Sequence, residues 1–247
     1  MRIKGNSVDH KELNDLLLQI PRPYDFEGDD LSGVNLAGAN LEKANLKGTF
    51  LTDAWLAGAN LKLAELEGAY MRGANLAVAN LKYANLLNVN LRAAHLAEAN
   101  LQGARLQKAN LERANFIEAN LSAAYLNGAD LTGAILKGAN LKGANLEGAV
   151  CFRADFTGAN IKGAWLDGAN LRGAVGILSL STTGLTASGD MLYAVRHAGR
   201  VMIKVGFFWD TLEVFEQQAL ENYGTGKEGS MIASVIQMIR AWHLLNK

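Results

Sequence analysis

From Leu31 to Leu171 every fifth residue is apolar, without one slip of frame. The run holds 29 such centres, of which 24 are Leu; the others are Met71, Phe116, Cys151, Phe156 and Ile161. Two places ahead of each centre stands a small residue, almost always Ala, with Asp29, Val34, Thr49 and Val89 departing. One place ahead Asn is commonest, as in Ala39-Asn40-Leu41. A period of five matches neither the 3.6 of a helix nor the alternation of a strand. It fits a short extended piece followed by a corner, repeated, with the Ala and the Leu pointing inward. The three outward places carry Lys, Glu, Arg, Gln, Thr and Asn. Gly recurs two places after the centre (Gly33, Gly38, Gly48, Gly58, Gly68, Gly73 and many from Gly128 onward). A type II turn wants a positive φ there, which Gly adopts freely.

Positions twenty apart report how many pentads close one coil. Asn40, Asn60, Asn80, Asn100, Asn120, Asn140 and Asn160 form an unbroken Asn series at that spacing. The column Asp30, Phe50, Tyr70, Asn90, Asn110, Asp130, Val150 and Asn170 is mixed. Four-sided coils of twenty residues are the simplest account. At an inter-strand spacing of ~4.8 Å, about seven coils make a rod on the order of 35 Å long. Each buried Leu contributes ~1.5–3 kcal/mol, stability accumulates between neighbouring coils, and the open ends need covers.

The A-(N/D)-L-x-x pattern over residues 29–175 resembles the pentapeptide-repeat family. The resemblance implies an all-β repeat fold, the right-handed quadrilateral β-helix, with four pentads per coil. It also implies a candidate activity, since some members protect or inhibit DNA gyrase by imitating duplex DNA. That mimicry requires a long acidic surface, and the loop insertions that some of those members project are missing from this run.

The two ends read differently. Residues 1–28 form an N-terminal helix and linker. A short helix over residues 7–20 is capped by Ser7 or Asp9, lined by Leu13, Leu16, Leu17 and Ile20, and stopped by Pro21 and Pro23. It is expected to cover the first coil. Residues 176–247 form a small α+β module. Met191–Arg196 and Arg200–Val205 flank His197-Ala198-Gly199 as a hairpin. Asp210-Thr211-Leu212-Glu213 has capping-box spacing and opens a helix to about Asn222. Tyr223–Ser230 is a glycine-rich loop, and Met231–Leu245 a second helix with Ile232, Val235, Ile236, Ile239 and Trp242 on its apolar positions. This ββαα unit is too small for a substantial core of its own, so it packs on the last coil or pairs with a second copy as a homodimer. Tyr193–His197, Val201–Gly206 and Thr211–Glu213 resemble a small domain at the C-termini of bacteriophage and bacterial repeat-containing proteins. Those usually carry Gly-Cys after the second strand, where this chain has Gly206-Phe207. The resemblance implies a phage or mobile-element origin and a host protein as target.

Charge narrows the function. The chain has 24 Lys and Arg against 24 Asp and Glu. The balance is local: 14 against 13 over residues 29–175, and six of each over 176–247. A neutral rod disfavours whole-rod DNA mimicry and makes nucleic acid an unlikely partner. Met1–Ile20 is too polar for a signal peptide, and no apolar run approaches the ~20 residues of a membrane span, so a cytoplasmic protein is expected. The single cysteine, Cys151, sits at an inward centre and can form no disulfide within the chain. His10, His95, His197 and His243 are scattered, with no metal-ligand spacing around them. Gly224-Thr-Gly-Lys-Glu-Gly229 lacks the full order of a phosphate loop and a preceding strand. No catalysis, metal or cofactor is expected.

The outward positions that break the pattern are the candidate contacts. Phe50 and Tyr70 share a column, Trp55 lies on the next face at the height of Phe50, and Arg72 and Arg92 stack beside them. Aromatics with Arg are the composition of protein-binding hot spots. The face of Trp55 also carries the small column Ala37, Ala57, Ala77, Ala97, ending in Ile117. A second group is Arg105, Tyr125 and Trp165 in one column, with Asn145 between the last two; Leu63 and Tyr83 form a further stacked pair. Aromatic stacking between coils serves stability as well as binding, so both roles stay open. The sequence therefore reads as a non-enzymatic protein-binding modulator. The alternatives are a gyrase modulator, a small-molecule or nucleotide binder, and a structural spacer.

Overall fold

The computed structural model describes residues 23–181, 191–197, 200–205, 208–224 and 227–245. The helix expected over residues 7–20 lies outside them. Parallel bridges between residues twenty apart run from Asp25↔Asn45 to Asp155↔Val175, so each coil takes four pentads. The ladder begins at Asp25, four residues ahead of the start read from the sequence, because Tyr24 and Phe26 already turn inward and are buried.

One hydrogen-bond scheme repeats throughout. In the pentad of Leu41 the Leu41 N–H donates to the Asn60 carbonyl (2.8 Å), and the Lys43 N–H to that of Lys62 (2.9 Å). The Asn60 N–H donates back to the Ala39 carbonyl (2.9 Å), and the Ala44 N–H closes the corner on the Leu41 carbonyl (3.0 Å). The inward Ala and Leu are sealed off: from Leu41 to Ala164 every inward apolar side chain is at most 1% exposed. Thr49 fits an inward small position because its Oγ1 donates to the Phe26 carbonyl (2.7 Å). Asp29 also occupies an inward small position and is buried.

Asn is favoured ahead of the Leu for two simultaneous bonds. The Asn80 Oδ1 accepts from the Lys82 N–H (3.2 Å), which forms an Asx turn at the corner. The Asn80 Nδ2 donates to the Asn60 Oδ1 of the preceding coil (3.1 Å). The same link joins Asn60 to Asn40, Asn120 to Asn100, Asn140 to Asn120 and Asn160 to Asn140, at 3.2–3.5 Å. Asp can accept at the corner, as Asp130 does from Thr132, but a carboxylate cannot donate along the column. Asp25 is tolerated at the foot of its column because there it need only accept, from Asn45 Nδ2 (2.9 Å).

The expectation that Gly marks the corner is only partly met. Thirteen non-Gly residues adopt a φ of 54–60° at the same turn position, among them Leu63, Val78 and Tyr83. Each such residue costs about 1–2 kcal/mol of backbone strain. The corner bond and the bonds to the flanking coils together hold them there.

Gly is indispensable where the chain leaves the rod. Gly176 has a φ of 77°, and a Cβ there would lie 2.4 Å from the Thr157 amide nitrogen and 2.6 Å from the Phe156 carbonyl carbon. Beyond it the module differs from the ββαα reading. Among the described residues it has four strands, β1 (Ile177–Ser181), β2 (Met191–His197), β3 (Arg200–Val205) and β4 (Phe208–Thr211), in one antiparallel sheet of order β1-β2-β3-β4. Two helices follow, α1 (Leu212–Tyr223) and α2 (Lys227–Leu245). β1 and β4 are short, and each is held by a neighbour rather than by its own periodicity: Ile177 pairs with Val195, and Phe208 with Val205. Helix α1 is capped one residue later than expected. Thr211 Oγ1 accepts from the Val214 N–H (3.3 Å), while Asp210 Oδ1 accepts from the Thr211 N–H (2.7 Å). Helix α2 starts within the stretch read as a glycine-rich loop.

β2 alternates between two cores. Tyr193 and Val195 join the core of the rod, together with Ile177. Leu192 and Ala194 join the helix side, with Ile203, Leu212, Ile232, Ile236 and Ile239. The Tyr193 hydroxyl donates to the Leu166 carbonyl (2.9 Å) and fastens the sheet to the last full coil. Burial, with the Asp167 carboxylate adding to it, pushes this hydroxyl up to about 12 from its ordinary 10.

Two predictions follow from these joints. Gly176→Ala should lower the stability by about 3 kcal/mol, adding backbone collision to positive-φ strain. Gly148→Ala has open space around it and should cost only about 1–2 kcal/mol; urea denaturation of the two variants compares them. Because the folded pKa of Tyr193 is raised, its contribution is full below pH 10 and is lost as pH rises through 12. Relative to Tyr193→Phe, the wild type should lose about 2–3 kcal/mol over that window, measured by denaturation at successive pH values.

Candidate functional site

The columns ahead of the Leu stand at the middle of each face, so a large residue there projects from a flat wall. Phe50 and Tyr70 do so on consecutive coils. Their rings stack with centroids 4.9 Å apart and planes 7° from parallel, a separation equal to the coil spacing. They remain 44% and 48% exposed. Trp55 is 58% exposed on the adjacent face, where its column neighbours are Asn35 and Asn75. It lies across the Thr52–Asp53 corner from Phe50 and extends the apolar surface around that corner without joining the stack.

The two arginines differ. Arg92 is held by Glu112 (3.3 Å), which also meets Arg113 (3.6 Å). Arg72 is exposed and, among the described residues, in no ion pair. The Asp53 carboxylate lies over Gly73, where a Cβ would meet its Oδ1. Phe50, Tyr70, Arg72 and Trp55 are thus the accessible part of the candidate group, with Arg92 engaged behind them.

The second group is not brought together as a cluster. Arg105 pairs with Tyr125 in the ladder, Tyr125 with Asn145, and Asn145 with Trp165. Tyr125 and Trp165 are therefore two coils apart, roughly 10 Å. Both are about half exposed.

Three exposed apolar side chains at the corners add to the surface. Val78, on the corner next to the small column of Ala57 and Ala77, is 62% exposed at a φ of 60°. The sequence reading named Leu63 and Tyr83 at equivalent corners as a stacked pair and passed Val78 over, since its column neighbours are Gly58 and Glu98. A β-branched residue where Gly is expected was the available signal. Tyr83 leans over Gly103, where a Cβ would come within 2.5 Å of its ring, and Lys82 Nζ sits 5.1 Å from the ring centroid. Leu63 is one coil below it.

Burial first, and the Asp130 carboxylate second, push the Cys151 thiol up to about 12, which leaves it a core side chain. Hydrogen bonds from Thr157 and the nearby Lys137 ammonium outweigh burial at Asp155 and hold its carboxyl below the usual carboxylate range. His95 is an exposed member of an outward column. Among the described residues no group of His, Cys, Asp and Glu could hold a metal ion, and no helix is long and apolar enough to cross a membrane.

A family model described as pentapeptide repeats matches the chain in eight copies, over residues 25–62, 59–96, 94–133 and 134–173. Among solved structures, the chain is similar to HetL, a pentapeptide-repeat protein involved in heterocyst differentiation regulation in the cyanobacterium Nostoc. The two are 30% identical over 62% of this chain and 83% of that one, with a TM-score of 0.27. It is similar to QnrB1, a plasmid-mediated fluoroquinolone resistance protein, at 19% identity over 62% and 83% of the two chains, with a TM-score of 0.43. A pentapeptide-repeat protein of the Arabidopsis thaliana thylakoid lumen is 26% identical over 49% and 67%, with a TM-score of 0.31. No protein of curated function matches the chain.

Proposed function

Because the chain belongs to the pentapeptide-repeat family, whose fold is the right-handed quadrilateral β-helix, we propose that it is a non-enzymatic binding protein presenting a rigid surface to a protein partner. The observation that carries this reading is the exposed apolar group of Phe50, Tyr70 and Trp55 beside the exposed Arg72. Asn fills most equivalent places on this rod and would serve the ladder better, since it caps the corner and links the coils. Large aromatics there leave apolar surface in water, which a partner would cover. The protein is proposed to act in the cytoplasm. The resemblance of the C-terminal module supports a host protein as the target of a phage-encoded modulator.

Duplex-DNA mimicry is the weaker reading. Several charged side chains of the rod meet opposite charges, as in Lys62–Glu42, Arg92–Glu112 and Lys137–Asp155, and the rod, with 14 Lys and Arg against 13 Asp and Glu over residues 29–175, builds no continuous acidic face. Gyrase supercoiling should be unchanged by the protein.

The test is affinity capture from host lysate, comparing wild type with a Phe50→Asn/Trp55→Asn/Tyr70→Asn variant. The substitutions match the residue found elsewhere in these columns, and loss of the Phe50–Tyr70 stack costs only about 0.5–1.5 kcal/mol, so the rod should persist. A protein retained by wild type and reduced at least tenfold by the variant is expected. Equal capture by both would place the contact elsewhere, and capture by neither would contradict the reading.

A further inference from the structure

Strain is unevenly spread along the rod. At the second corner position φ is positive in every pentad, and residues 126–175 meet this with Gly at nine of ten places, Arg153 being the exception. Residues 86–125 reverse the choice. Seven of their eight corners hold another residue at a φ of 54–59°, among them Ala93, Arg113, Glu118 and Ala123, and only Gly103 relieves the run. Residues 46–85 are intermediate, with Asp53, Leu63, Val78 and Tyr83 at four of eight corners. A side chain at positive φ crowds the backbone carbonyl, which Gly avoids; Asn88 bears this better than the other six.

A second weakness, of different chemistry, falls at the edge of the same coils. Along the Asn column each amide donates to the coil before it, as Asn80 does to Asn60 (3.1 Å) and Asn120 to Asn100 (3.3 Å). Between Asn80 and Asn100 the backbone bridge continues, but among the described residues no amide–amide bond joins the two. Residues 126–175 have the opposite character. Their corners are relaxed, Asn120, Asn140 and Asn160 are linked in series, and Tyr193 ties their last full coil to the module. Stability in stacked repeats is a sum over coils and their neighbours. Such differences are therefore not averaged out, and opening starts where the sum is smallest.

We propose that the rod consists of two cooperative units. Residues 126–175 and the module form a stable base, and the strained coils of residues 86–125 form a seam. Opening at this seam unmakes the proximal rod, which carries Phe50, Trp55 and Tyr70, and leaves the base folded. Hydrogen–deuterium exchange of the full chain, read by mass spectrometry and corrected for intrinsic rates, tests this. A uniform rod frays from its ends, so its middle would be protected best. The seam gives the reverse order: residues 86–125 should exchange at least tenfold faster than residues 126–165.

Two variants probe the cause. Arg113→Gly/Glu118→Gly/Ala123→Gly, at exposed positions, relieves three corners and should slow exchange over residues 86–125 at least tenfold. Gly143→Ala/Gly148→Ala, at corners with open space around them, strains the base instead. It should speed exchange over residues 126–165 about tenfold and leave residues 86–125 as they were. Equal protection of the two segments, or better protection of residues 86–125, would overturn the proposal. So would a Gly variant that leaves their exchange unchanged, or Ala substitutions that speed both segments alike.

Discussion

The hydrogen bonds between successive coils are the constraint on which everything else rests. Each Leu N–H reaches the carbonyl nineteen residues ahead, and each residue before a Leu donates back to the coil beneath. Both sets are satisfied only when the coil takes twenty residues, which is why no frame slip occurs between Leu31 and Leu171. An insertion keeps the later Leu in the core only if it loops out at a corner, and any ladder group it leaves buried and unpaired costs about 1–3 kcal/mol. The interior is therefore nearly monotonous. Ala and Leu alternate because the narrow bore admits one small and one large side chain per side, and individuality is left to the outward positions.

Outward positions are free in different degrees. The place ahead of the Leu is drawn toward Asn, since one side chain there serves the corner and the neighbouring coil together. The second corner position is drawn toward Gly by its positive φ. Departures from either preference give up stability, and several of them place apolar side chains in water: Phe50, Trp55 and Tyr70 at the first, Leu63, Val78 and Tyr83 at the second. They fall within residues 50–83, toward the N-terminal end of the ladder. From Gly128 to Gly173 the corners are nearly all Gly, with Arg153 the exception. The distal part of the rod, joined to the module through Gly176 and Tyr193, thus has plain corners, although Val150 and Trp165 project from its faces; in the proximal part both corners and faces carry apolar side chains.

The repeat was legible in the sequence because strict period five leaves few geometries, and the Asn series at a spacing of twenty fixed their number per coil. The module was less legible. Ile177–Ser181 forms a strand because β2 lies alongside it, and Phe208–Thr211 is only four residues long; neither carries enough periodicity to stand out. At the start of α1, Asp210 and Thr211 are both good caps, and only the backbone decides which hydroxyl or carboxylate meets the free N–H groups. The candidate site was legible as columns, so the Phe50–Tyr70 stack could be read directly. Pairing along those columns was not: nothing in the spacing shows that Arg92 is engaged by Glu112 while Arg72 is left open.

The central claim is that twenty residues close one coil, because the surface assignments all depend on it. A pulsed electron-spin distance between labels on Lys47→Cys and Glu147→Cys tests it most directly, with the buried Cys151 left in place. These exposed positions share one column, a hundred residues and so five coils apart. The account predicts a narrow distribution centred at about 24 Å, five spacings of ~4.8 Å. A centre near about 32 Å, the value for fifteen-residue coils at the same spacing, or a broad distribution would contradict it.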